Sequence, residues 1–69
     1  MITLKQIQQK IIEVIQQSGM KQRELAEKLN LTQSTIAHYI KGDILPALDT
    51  LANLCKILDV DANYILCLE

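Results

Sequence analysis

Along residues 3–18, Leu4, Ile7, Ile11, Ile12 and Ile15 recur at spacings of three and four, which marks one apolar stripe of an amphipathic helix. Gln6, Gln8, Gln9, Gln16 and Gln17 fill the other faces; Thr3 is placed to cap the start, and Gly19 to stop the helix in a left-handed turn. Val14 falls off the stripe and is expected at its edge or against a partner. A second, shorter helix over 22–29 sets Leu25, Ala26 and Leu29 on one side. Asn30 then tolerates a left-handed backbone better than most side chains, and Thr32, after Leu31, is a favourable N-cap. The third helix runs to Lys41, buries Ile36, Tyr39 and Ile40, and ends at Gly42. Residues 43–47 form a loop around Pro46, the sole proline. Residues 48–58 carry Leu48, Leu51, Ala52, Leu54, Cys55 and Leu58, a stripe wide enough for a helix central to the core. Asp61 caps a last short helix bearing Ile65, Leu66 and Leu68. Helices this short are marginal alone, so tertiary packing must hold them. The pattern predicts an all-α, compact five-helix fold, with residues 1–69 forming a single domain.

Composition sharpens that expectation. The apolar content is almost wholly aliphatic: there is no Trp or Phe, and Tyr39 and Tyr64 are the only aromatics. This suits closely approaching helices and argues against a sandwich or barrel, where aromatic and β-branched residues dominate. Cys55 and Cys67 have no histidine near them, His38 being the only one, so the usual ligand pairs of a zinc site are missing and no metal or cofactor is expected. Both cysteines fall in apolar helical stretches and are expected to be reduced and buried. No apolar run suits a signal peptide or a membrane span, and a cytoplasmic protein is the expectation. An enzyme is not expected, since there is no Cys/His pairing, phosphate-cradling glycine loop or carboxylate cluster with an acid–base partner.

Net charge is −1, yet it is unevenly spread. Lys5 and Lys10 against Glu13 leave residues 1–20 at +1, and Lys21, Arg23, Lys28 and Lys41 against Glu24 and Glu27 leave residues 21–42 at +2. Lys56 against Asp43, Asp49, Asp59, Asp61 and Glu69 leaves residues 43–69 at −4. A polyanion is therefore admissible on the first part and disfavoured on the last, whose acidic residues are read as caps and solvated positions.

Residues 22–41 concentrate the candidate function. Two short helices joined through Asn30 and Leu31 give a helix-turn-helix, whose members meet at roughly 90–120°. Ala26 is small where they pass closest, and Leu25, Leu29, Leu31, Ile36 and Tyr39 fill the wedge. The segment from Gln22 to Leu29 and the segment from Leu31 to Gly42 resemble the Cro and phage-repressor (XRE-type) regulators. Pro46, Leu51, Leu54, Leu58-Asp59-Val60 and Tyr64-Ile65-Leu66 resemble their core-closing helices. The likeness spans roughly residues 5–68. It departs from the family at Asn30, where glycine is common, and at Lys21 and Ala47, where capping hydroxyls are common.

The resemblance implies a lambda-repressor-like DNA-binding domain that lays its third helix in the major groove. It implies that Gln33 reads adenine through its amide, that Ser34 and His38 share the exposed side with it, and that His38 meets a guanine acceptor or a phosphate. Thr32 and Thr35 complete the edge, with the Thr35 methyl available to thymine. Gln22 with its backbone amide, and Lys41 with the Gly42 amide, are expected to hold phosphates. The expected partner is double-stranded DNA, bound by a homodimer, and the expected role is repression of transcription; Ile65, Leu66, Cys67 and Leu68 are expected either to join the two copies or to close the monomer core against the first helix. The competing expectation is an antitoxin-like or adaptor interaction module of the same fold. A Gln33–Ser34–His38 face free of acidic residues favours DNA.

Overall fold

The computed structural model describes residues 1–69 as five helices and no strand: α1 (Leu4–Gln17), α2 (Gln22–Leu29), α3 (Gln33–Lys41), α4 (Leu48–Leu58) and α5 (Ala62–Ile65). Three of the five starts carry a side-chain cap. Thr3 caps α1 by accepting from the Gln6 amide (3.2 Å), and Gln6 Oε1 accepts from the Thr3 amide (2.8 Å), a reciprocal capping box. Thr32 caps α3 by accepting from the Thr35 amide, and Asp61 caps α5 by accepting from the Asn63 amide. Lys21 and Ala47 supply no side-chain cap to α2 and α4.

The turn between α2 and α3 is left-handed at Asn30, with φ 58° and ψ 42°. That reversal lets the Leu31 amide donate to the Ala26 carbonyl at 2.8 Å, closing the end of α2 and fixing the entry into α3. Gly42 ends α3 at φ 91°, and Asp59 ends α4 at φ 55°.

All five helices feed one core. Leu25, Ile36, Leu54 and Ile65 are fully buried, one each from α2, α3, α4 and α5. Ile11, Val14 and Ile15 of α1 close the core, with Ala26, Tyr39 and Cys55 completing it and no polar or charged residue buried among them. α2 packs on α3, α1 on α3 and α5, and α4 on α2. The Cα radius of gyration, 11.0 Å, is what a compact chain of this length should have, about 11 Å.

Four sequence expectations need correction. Val14 is buried, on a side of α1 where Leu58 and Val60 from the end of α4 lie near it. Leu4 and Leu48 are 68% and 86% exposed, on an open apolar groove that they line with Leu45, Pro46 and Leu66; Ala52 is exposed too. Cys67 is only half-buried, and both cysteines are free thiols. Ile65 is a core residue and has no surface to offer a second subunit; of the proposed dimer contacts, Leu66 is half-buried and Leu68 is 63% exposed.

An exposed network ties α1 to α5. Lys10 Nζ donates to the Tyr64 hydroxyl at 3.2 Å and lies 4.3 Å from the ring centroid, and that hydroxyl donates to Glu13. The hydroxyl bond and the nearby carboxylate push the Lys10 amine above its ordinary range, against a smaller opposing effect of desolvation. No helix is long and apolar enough to cross a membrane.

Candidate nucleic-acid interface

One side of α3 is committed to the core through Ile36 and Tyr39, with Ile40 packed at its margin. Burial also pushes the Tyr39 phenol upward, with the Asp49 charge adding to it, consistent with a packing role. The opposite side is therefore forced outward by helical periodicity. Gln33, Ser34, Ala37, His38 and Lys41 are all exposed on it. Ser34 and His38 stand one turn apart, and Ala37 lies four residues from both Gln33 and Lys41. Ala37 escaped the sequence reading because a lone alanine carries no chemical signal. Its small side chain leaves room for a close approach along this edge.

The two threonines are less free than their neighbours. The Thr32 hydroxyl accepts from the Thr35 amide at 3.2 Å and is bonded to the Thr35 hydroxyl at 2.9 Å. Both hydroxyls are thus engaged in starting α3, and Thr35 is half-buried. Gln22 is half-buried at the first position of α2, and its amide has no intramolecular partner, as expected for a first-turn amide without a side-chain cap. The Gly42 amide differs: it donates to the His38 carbonyl at 3.0 Å, so it is not available to a phosphate as expected from the sequence.

The expectation of an acid-free edge is also corrected. At left-handed Gly42 the chain turns back, and the Asp43 amide donates to the same His38 carbonyl at 3.1 Å. Asp43 Oδ2 then lies 3.0 Å from His38 Nδ1 and 3.6 Å from Lys41 Nζ. The hydrogen bond from His38, followed by the positive charge of Lys41, holds the Asp43 carboxyl below its ordinary range, although desolvation opposes the shift. Asp43 is a member of this surface, not a merely solvated loop residue. Gln8 of α1 anchors the same corner by donating from Nε2 to the Gly42 carbonyl at 2.8 Å. The Gln8 contact was not legible locally, since Gln8 and Gly42 are 34 residues apart, whereas His38 and Asp43 are five apart and meet through the turn at Gly42. Arg23 and Glu27 form an exposed pair at 3.9 Å on α2. No three His, Cys, Asp or Glu side chains group to hold a metal.

Two helices crossed through a left-handed Asn30, with a short hydrogen-bonding edge exposed on the second, form a helix-turn-helix. The chain belongs to the helix-turn-helix family of XRE type, the Cro and phage-repressor class: residues 11–65 match the family model described as Helix-turn-helix. The five-helix body is consistent with the lambda-repressor-like fold of that class, a family of DNA-binding rather than enzymatic domains. No curated protein and no solved structure matches the chain.

Proposed function

We propose that this domain is a sequence-specific transcription regulator, acting as a repressor, that places α3 in the major groove of its operator as a homodimer. One observation carries the proposal: Gln33, Ser34 and His38 form an exposed, hydrogen-bonding edge on a helix whose other side is locked into the core. In this reading Gln33 pairs bidentately with adenine N6 and N7, while Ser34 and His38 meet neighbouring base edges. The Thr32 and Thr35 hydroxyls hold each other, leaving the Thr35 methyl for a thymine methyl. Gln22 and its free amide meet a phosphate at the positive end of α2, and Lys41 meets a second.

A single such domain covers one half-site, so specific affinity requires a second copy about one helical turn away. The C-terminal Leu68, with Leu66 beside it, contributes to that contact, whereas Ile65 stays in the core. Where an operator overlaps a promoter, occupying it excludes polymerase, so repression there needs nothing beyond this domain's binding. The work is done where the DNA is, in the cytoplasm.

The acidic second half of the chain and the Asp43 carboxylate beside His38 favour one other reading, an antitoxin-like or adaptor module that binds protein through the same fold. Selection of bound duplexes from random sequence separates the two. Recovery of a two-fold symmetric site supports the regulator, its centre-to-centre spacing reporting the dimer. Failure to enrich any duplex at low salt refutes it in favour of the interaction module.

A further inference from the structure

His38 is the chain's only histidine, and its Nδ1 lies 3.0 Å from Asp43 Oδ2. An ionised carboxylate can only accept, so the imidazole must donate from Nδ1 in this bond. That fixes the ring's other end. In the neutral imidazole Nε2 is left as a bare acceptor; in the imidazolium it becomes a donor. The His38 side chain is 49% exposed, and its only ring hydrogen bond is at Nδ1, so Nε2 has no intramolecular partner.

The clamp is built rather than incidental. The Asp43 backbone is held by its amide bond to the His38 carbonyl, and the preceding Gly42 carbonyl is held by Gln8. The charged groups facing the pair are few. Lys41 of α3 lies 3.6 Å from the same Asp43 oxygen, α1 contributes only the uncharged Gln8, and no other ionisable side chain is within ion-pairing distance of His38 or Asp43. The bond from His38 and the charge of Lys41 hold the Asp43 carboxyl below its ordinary range, which favours the ionised acceptor.

We infer that Asp43 is a specificity-positioning residue: by fixing the His38 proton on Nδ1, it makes Nε2 select bases that offer a donor, adenine N6 or cytosine N4, while the ring is neutral, and bases that offer an acceptor, such as guanine N7 or O6, once the ring is charged. The inference rests on α3 lying in the major groove, and it differs from a guanine contact by the neutral ring.

Two measurements test it. The first needs no DNA: long-range proton–nitrogen NMR of the single imidazole in the free protein reports which ring nitrogen is protonated at about pH 8, where histidines are neutral. The wild type is expected to carry its proton on Nδ1, and Asp43→Ala to show a tautomer mixture. The second is base preference at the position facing His38, found as the one that loses discrimination in His38→Ala. At about pH 8 the wild type should favour a donor base by about five-fold, the size of one net hydrogen bond, and the preference should move toward guanine at about pH 5. Asp43→Ala should broaden this position at the higher pH, leave the others unchanged, and have no such effect in the His38→Ala background. A proton on Nε2 in the wild type overturns the clamp. A proton on Nδ1 with base preference insensitive to pH and to Asp43 overturns the readout. Absence of binding to any duplex at low salt refutes the DNA-binding function itself, and the readout with it, while the ring spectrum still decides the clamp.

Discussion

Gln33 and Asp43 show how one face can hold residues whose expected effects are opposite. Gln33 is exposed at the first position of α3, with no intramolecular hydrogen bond to hold its amide, so it is free to meet a base edge. Gln33→Ala is expected to weaken operator binding by about 1–3 kcal/mol while sparing non-specific DNA, because one bidentate base contact is lost and no charge changes. Fluorescence anisotropy with operator and scrambled duplexes checks this; equal losses on both would assign Gln33 to the backbone instead. Asp43 acts first on stability. Its folded-state carboxyl titrates below the ordinary carboxylate range, so its contribution is present above that range and is lost as the pH falls through the depressed value. Thermal melts of the wild type should therefore drop more than those of Asp43→Asn between about pH 5 and about pH 3. The difference should be small, since His38 and Asp43 side chains are 49% and 43% exposed and solvent screens the pair. An acid limb identical in both proteins would show that the pair does not persist in solution.

Among the elements, helix ends and helix crossings carry separate energies. Lys21 and Ala47 have the extended backbone of an N-cap, with φ and ψ of −71° and 147° and of −62° and 161°, but neither accepts a first-turn amide. Lys21→Ser and Ala47→Ser should each add about 1 kcal/mol, raising the melting temperature by about 4–8 °C in a domain of this size. Calorimetry decides it, and an unchanged melting temperature would mean that water already satisfies those amides as well. Ala26 is 2% exposed where α2 meets the turn into α3. Ala26→Leu should overpack that crossing and cost about 1–3 kcal/mol, visible as a lower urea midpoint; no loss would mean that the crossing has slack. The same elements separate what the sequence made legible from what it did not. The left-handed Asn30, the caps at Thr3, Thr32 and Asp61, and the stop at Gly42 are local chemistry, and local residue types announced them. Thr3 and Gln6, three residues apart at the start of α1, have the spacing of the capping box they form. The burial of Val14 and the exposure of Leu4 and Leu48 depend on how many neighbours each helix acquires, which periodicity does not encode. Asp43 reached His38 only because Gly42 folds the chain back, a tertiary consequence of one backbone conformation.

For the whole molecule, the decisive quantity is how few cations are free to meet phosphate. Residues 21–42 carry +2, but Arg23 is paired with Glu27 and Lys41 shares Asp43 with His38. The acidic remainder, residues 43–69 at −4, gives a duplex no second basic surface to wrap onto. Affinity must then come more from uncharged contacts and from pairing two copies than from counterion release. Each copy is expected to neutralise about one or two phosphates, so a plot of log affinity against log salt should fall with a slope of about −2 to −4 for the bound dimer. Asp43→Asn frees Lys41 and removes a negative charge beside the groove, which should steepen the slope by about one per copy and raise affinity for non-specific duplexes. A slope near zero would place the protein among interaction modules and end the case for DNA. A slope near that of strongly basic repressors, about −10, would contradict the charge pairing seen here, since it would require cations this surface does not have.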